Sequence, residues 1–160
     1  HGGAGGIGHV AIQLGKALGA YVATTVSTEQ IDWTKQLGAD EVIDYKIEDF
    51  TTKVKGFDAV FDTVGGETMT KSVTVLKPGG VLVSMLGQPD QKLTDKYGVT
   101  GIGQNTRVDT AHLDRLRQLV ETGKIKVHVD KVFPLDQTRQ AFEYQEQGQV
   151  KGKVVVKIES

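Results

Sequence analysis

Three glycines, Gly3, Gly5 and Gly8, fall in a G-x-G-x-x-G spacing at the start of the sequence. Glycines so spaced can serve a tight turn, the approach of backbone to a diphosphate, and close packing of a helix on a sheet. An apolar stripe follows at helical spacing, Ile7, Val10, Ala11, Leu14, Ala17 and Leu18, so the loop opens into a helix predicted over 6–18. The N-terminus of that helix offers N–H groups and the positive end of a dipole to an anion. Gly5, Gly6, Ile7 and Gly8 are therefore candidate anion contacts, set against the plain strand-to-helix turn that such glycines also mark. The four histidines, His1, His9, His112 and His128, show no ligand spacing, and with no cysteine in the chain no metal site is predicted. His9 lies off the apolar stripe of the first helix. Asp62, at the end of a strand-like run, has the chemistry of a base, but a strand-end Asp more often caps the turn that follows.

Regular elements have to position these groups, and the chain alternates between strand and helix patterns. Strands are predicted over 21–26, 41–45, 57–62 and 81–86, with helices over 28–37 and 68–76 and a helical turn or two over 48–54. Gly38 stops the second helix, and Lys77-Pro78-Gly79-Gly80 reads as a turn. The polar stretch 88–98 reads as a loop with a short helix, and 99–104 as a glycine-rich strand. Asp109 can cap a helix that carries Leu113, Leu116, Leu119 and Val120 and closes at Gly123. Residues 124–129 alternate like a strand, Pro134 starts a last helix, and 153–158 is a final strand. This alternation predicts an α/β fold, a doubly wound and mostly parallel sheet with helices on both faces. No strand precedes the glycines, so the first strand is expected to be truncated and the chain to be a fragment of a longer protein.

A length of 160 residues suits one domain. The net charge of −1, with acids and bases interspersed, argues against a nucleic-acid partner, which calls for a basic excess. The lack of cysteine excludes disulfides and thiolate metal sites and fits a reducing compartment, so a cytoplasmic location is expected. No apolar run approaches the roughly 20 residues that cross a bilayer, and no membrane partner is expected.

Gly2–Gly8, Leu37–Tyr45, Phe57–Gly66, Lys77–Gly80 and Gly148–Ile158 with its Lys151-Gly152-Lys153 resemble, in order and spacing, the quinone oxidoreductase branch of the medium-chain dehydrogenase/reductases. The resemblance covers nearly the whole chain. It implies a Rossmann-type dinucleotide-binding domain over residues 1–125. Over 126–160 it implies a C-terminal segment that returns to a catalytic domain outside this sequence. Members of the branch pass hydride from a nicotinamide cofactor to a quinone, enal or enone without zinc. No catalytic residue is assigned, and the fragment itself is expected to be inactive and to bind nucleotide weakly or not at all.

The same resemblance implies the cofactor contacts. Gly5, Gly6, Ile7 and Gly8 would meet the pyrophosphate, Ser27 the adenosine ribose and Tyr45 the region near the phosphates. Thr63, Val64, Met85 and Leu86 would wall the nicotinamide side. The branch favours NADP, while Glu29, an acid just past the second strand, suits the 2′-OH of NAD and leaves that cofactor open. The strand near Val99–Gly103 would be an edge through which two copies pair into a homodimer. Two other readings are a non-enzymatic nucleotide-binding relative and a Rossmann-like methyltransferase. The sulfonium cofactor of the latter carries no pyrophosphate, and Leu37–Asp40 and Lys151–Lys153 argue against it.

Overall fold

The structure is a computed structural model that describes residues 1–158. The glycine-rich loop runs into α1 (Gly8–Ala17), whose buried positions include His9, Ile12 and Gln13. Next come β1 (Ala23–Val26), a 3₁₀ turn, α2 (Ile31–Gln36) and β2 (Glu41–Asp44), which pairs with β1 in parallel. A short α3 (Phe50–Lys53) starts at Asp49, whose carboxylate accepts from the Thr51 N–H. β3 (Phe57–Asp62), α4 (Gly66–Ser72), β4 (Leu76–Ser84), α5 (Gln91–Tyr97) and β5 (Thr100–Gly103) follow, and their strands form a parallel sheet in the order β3-β4-β5. After α6 (Thr110–Glu121), β6 (Val129–Pro134) and β7 (Lys153–Lys157) pair in parallel across α7 (Thr138–Glu146). Parallel neighbours need crossover connections, and the helix between each pair of strands supplies them.

Two apolar clusters meet at β3. Ile43, Phe50, Val54 and Val75 form one, Val73, Leu76, Leu82 and Val99 the other, and Phe57 and Val60 pack against both. Each such buried side chain contributes about 1.5–3 kcal/mol. β1 and β3 do not pair with each other, so the doubly wound sheet is divided into two parallel sheets at this point. Residues 1–3 run between them: the Gly3 N–H donates to Thr25 O at 3.1 Å and the His1 nitrogen to Phe61 O at 2.8 Å. The His1 ring spans the same gap, with Nδ1 3.0 Å from Thr25 Oγ1 and Nε2 2.9 Å from Ser72 Oγ. A cavity of about 260 Å³ lies alongside, walled by Ile43, Val60 and Phe61 among others.

Two predicted boundaries move. Lys77–Gly80 is not a turn ahead of the strand but a bulge inside β4, since Phe57 pairs with Leu76 while Ala59 pairs with Val81. Gly79, at φ +80°, gives its N–H to Gly98 O at 2.7 Å. Residues 124–128 are not a strand and β6 starts only at Val129, while Pro134 both ends that strand and caps the 3₁₀ turn 135–137 that runs into α7. Side chains of α1 take the backbone groups of Lys126 and His128 instead.

Candidate functional site

A cavity of about 1090 Å³ opens where β1, β2 and β3 end. Ligands of open parallel sheets sit beyond these carboxyl ends. The volume lies just above the roughly 300–1,000 Å³ range of small-molecule sites, which suits an extended ligand. Of the ten residues singled out in the sequence, Gly5, Gly6, Ile7, Tyr45, Thr63 and Val64 line it together. Gly8 lies beneath the loop, buried. Ser27 is also buried, and its hydroxyl donates to Gln30 Oε1 at 3.0 Å rather than pointing into the cavity. Met85 and Leu86 stand outside the lining.

The glycine loop is shaped by its own backbone. The Gly5 N–H donates to Gly2 O at 3.0 Å and the His9 N–H to Gly5 O at 3.2 Å. Among the described residues, the N–H groups of Gly6 and Ile7 meet no backbone acceptor, and the first turn of α1 carries no acid. Two donors and an unopposed dipole end therefore face the cavity, an arrangement that fits a diphosphate. Gly8 is required by space: a side-chain carbon there would run into the Gly2 carbonyl and stand 2.8 Å from Gly3 Cα.

Asp62 organises the far side. Fully buried, it accepts from the N–H groups of Val64 (3.0 Å) and Gly65 (3.1 Å) and from the Ser84 hydroxyl (3.0 Å). Ser84 Oγ in turn accepts from the Leu86 N–H at 3.2 Å, and the Asp62 carbonyl from the Met85 N–H at 2.9 Å. The carboxylate is thus a turn cap with its oxygens committed, not a free base. Through it the Thr63–Gly65 and Met85–Leu86 segments are fixed to each other.

The remaining wall comes from the C-terminal segment. Gln13 holds Lys126 in both directions, its Nε2 donating to Lys126 O (3.0 Å) and its Oε1 accepting from Lys126 N (2.8 Å). Gln30 Nε2 donates to Val150 O at 3.0 Å, and the Gly152 N–H to Ala4 O at 2.9 Å. His9, off the apolar stripe, is nevertheless fully buried. Its Nδ1 is 2.9 Å from Gly5 O, and its Nε2 accepts from the His128 N–H at 3.3 Å. That pair of partners requires a neutral ring protonated on Nδ1, and burial, the largest influence, holds its pKa below the ordinary histidine value. Trp33 of α2 stands 6.2 Å from the His9 ring and 5.3 Å from the His128 ring, centre to centre. These long-range partners of α1 carry no short sequence signal; only the paired amide and imidazole on one helix face hint at them.

Charge around the cavity is mostly paired. Lys46 meets Glu29 at 3.0 Å, and Lys71 meets Glu67 at 2.8 Å and Asp49 at 3.7 Å. Its own backbone N–H, then the Lys46 ammonium, hold the Glu29 carboxyl below its usual range. Glu29 is thus half of an ion pair whose other half, Lys46, lines the cavity.

The family described as "Zinc-binding dehydrogenase" matches residues 37–156. The chain belongs to this family. Within it, the chain falls in the quinone oxidoreductase branch of the medium-chain dehydrogenase/reductases. It is 39% identical over 160 residues to 2-methylene-furan-3-one reductase of Solanum lycopersicum, covering 97% of this chain and 38% of that enzyme. It superposes on the quinone oxidoreductase of Coxiella burnetii with a TM-score of 0.90 at 34% identity, covering 98% of this chain and 51% of the other. The Escherichia coli quinone oxidoreductase complexed with NADPH gives a TM-score of 0.83 at 27% identity, covering 98% and 55%. The chain spans about half the length, or less, of the curated relatives it matches. Among the described residues, no three His, Cys, Asp or Glu are grouped to hold a metal, and no helix is long and apolar enough to cross a membrane.

Proposed function

We propose that this chain is the NAD(P)H-holding part of a reductase that passes hydride to a quinone, enal or enone. The observation that carries the reading is the glycine loop, with the Gly6 and Ile7 N–H groups open to a cavity of about 1090 Å³ at the strand ends. A nicotinamide cofactor, when bound, supplies the hydride. The chain's own residues bind and orient: Gly5, Gly6 and Ile7 receive the diphosphate, with Gly8 keeping the loop tight. Tyr45 flanks the phosphates, and Thr63 and Val64 border the nicotinamide end. Met85 and Leu86 are tied to that border by Asp62 and Ser84. Ser27 holds the Gln30 side chain, which lines the cavity at the ribose end.

NADPH is the preferred cofactor in this reading. Lys46 offsets Glu29 at the ribose end, and relatives are named as NADPH-dependent or were solved with NADPH. The chemistry is zinc-independent in this reading, as the likeness to the quinone oxidoreductase branch implies. Residues 1–125 form the dinucleotide-binding domain and 126–160 belong with a separate catalytic domain, which holds the proton-donating groups. β5 pairs with β4 on one side, and its other edge suits a second copy, making a homodimer whose mass in solution tests the pairing. A cytoplasmic location rests on the cysteine-free composition and is tested by fractionation.

The deciding experiment is a reductase assay of the full-length protein with NADPH and NADH against a simple quinone and an enone. Acceptor-dependent oxidation of NADPH, faster than of NADH, is expected. Dinucleotide binding with no turnover on either acceptor would replace this reading with that of a non-enzymatic relative.

A further inference from the structure

His9 touches both walls of the large cavity without lining it. It sits in the first turn of α1, fully buried, with Nδ1 2.9 Å from Gly5 O and Nε2 3.3 Å from the His128 nitrogen. Nε2 faces an N–H and must accept, so the proton of the neutral ring is on Nδ1 and is donated to Gly5 O. The Gly5 contact bears on the anion site. The Gly5 carbonyl and the Gly6 N–H belong to one trans peptide and point in opposite directions. Gly5 O takes both the ring N–H and the backbone N–H of His9, the latter at 3.2 Å. With its carbonyl drawn toward α1, this peptide turns the Gly6 N–H away from the helix and toward the cavity that Gly6 lines. Glycine on both sides of the peptide leaves it free to rotate, and the ring bond is what opposes that rotation.

The His128 contact bears on the other wall. While the His128 N–H goes to His9, its carbonyl accepts from the Lys153 N–H at 2.9 Å, where β7 begins. One helical turn along α1, Gln13 holds Lys126 of the same segment. The charged groups that face the ring are Lys153 of β7 and His128, which has Asp130 at 4.0 Å from its Nε2. From α2 comes Trp33, which carries no charge, and from α1 the amide of Gln13, which donates to His9 O. A protonated ring would set an Nε2–H against the His128 N–H, donor against donor, in a buried place beside the Lys153 charge.

From this geometry, and resting on the dinucleotide reading above, we infer that neutral His9 is a positioning residue of the anion site. It aims the Gly6 N–H into the cavity and ties that peptide to the C-terminal wall. Protonation of the ring releases the wall and weakens dinucleotide binding, so acid acts on the site from behind the loop and not through a group that touches the cofactor.

The test is equilibrium binding of NADP⁺ at pH 7.5 and 5.5 to the full-length protein and to His9→Asn, His9→Gln and His9→Leu, each checked for cooperative unfolding in urea. Asn places an amide N–H near the position of Nδ1 and keeps the Gly5 bond. Gln places its amide near Nε2 and keeps only the His128 bond, Leu keeps neither, and none of the three titrates. At pH 7.5, His9→Leu and His9→Gln are expected to weaken binding by about tenfold, and His9→Asn by no more than about threefold, since it restores the donor to Gly5 O. Should His9→Leu not fold, the contrast between Asn and Gln carries the comparison. Wild-type affinity is expected to fall by about threefold or more from pH 7.5 to 5.5, beyond any change in His9→Asn, where only the 2′-phosphate and other groups still titrate. A pH dependence equal in wild type and His9→Asn would overturn the inference. So would His9→Asn binding as weakly as His9→Gln, which would reduce the ring to packing. Wild-type protein that binds no nicotinamide dinucleotide at either pH would instead overturn the underlying reading of the cavity, and this inference with it.

Discussion

The strand-end wall of the cavity is held by Asp62 through groups two and three residues away and one on the neighbouring strand. The C-terminal wall is held by Gln13, His9 and Gln30 through bonds that span 113 to 120 residues. The first wall is a property of a local turn and would form with the sheet itself. The second exists only after the C-terminal segment has docked, and three polar side chains of the glycine-loop half fix where it docks. A ligand seated between them is gripped by one wall that is built in and another that is assembled. The assembled wall is the one open to disruption without loss of the fold.

Breaking the local wall should have the larger effect. Asp62→Ala strips the buried acceptor from two N–H groups and from the Ser84 hydroxyl. A loss of about 3–5 kcal/mol is expected, measured as the fall in unfolding free energy in urea. A loss below about 1 kcal/mol would mean that water or rearrangement satisfies those donors, and that the two loops are not held through this carboxylate.

The assembled wall should yield at lower cost. Gln13→Ala leaves the Lys126 N–H and carbonyl unpartnered, which is expected to cost about 1–3 kcal/mol. The more telling readout is local. Amide exchange should speed up over residues 126–133 while β3 and β4 keep their protection. Uniform acceleration over both regions would show the walls to be one cooperative unit and remove the distinction.

Acid should sharpen the comparison by the smallest step. Burial, above all, lowers the pKa of His9, with the Lys153 and His128 charges adding to the fall and the Gly5 carbonyl opposing it. The folded state therefore holds the His9 proton less readily than the unfolded chain does. The stabilising contribution is complete above about 6.5, the ordinary histidine value, and declines as pH falls below it. The groups that face the ring are the Gly5 carbonyl, His128, Lys153 and Trp33. The urea midpoint is expected to drop between pH 7.5 and 5.5, and the drop should shrink in His9→Asn. An equal drop in wild type and variant would place the titration elsewhere.

The same contrast explains what the sequence made legible. The G-x-G-x-x-G loop, the parallel strands and the capping role of Asp62 are carried by neighbours in sequence, and each was readable from spacing and residue type. The 124–129 segment alternates as a strand would, yet only Val129 joins one, because Gln13 and His9 occupy the backbone groups of Lys126 and His128. His9 looked peripheral by its position on the helical wheel, but it is buried by a segment whose approach no local pattern announces. Ser27 was assigned to the ribose from its place after β1. In the fold its hydroxyl is engaged by Gln30, whose amide reaches on to Val150.

In the reading proposed here, the cavity between the glycine loop and the C-terminal strand holds a nicotinamide dinucleotide. The most direct test is a calorimetric titration of the full-length protein with NADPH, alongside Gly8→Val, in which a side chain would collide with the backbone of Gly2 and Gly3. Saturable one-to-one binding is expected in the wild type, and its loss in a Gly8→Val protein that still unfolds cooperatively. Binding that survives Gly8→Val undiminished, or no binding of any nicotinamide dinucleotide to the wild type, would contradict it.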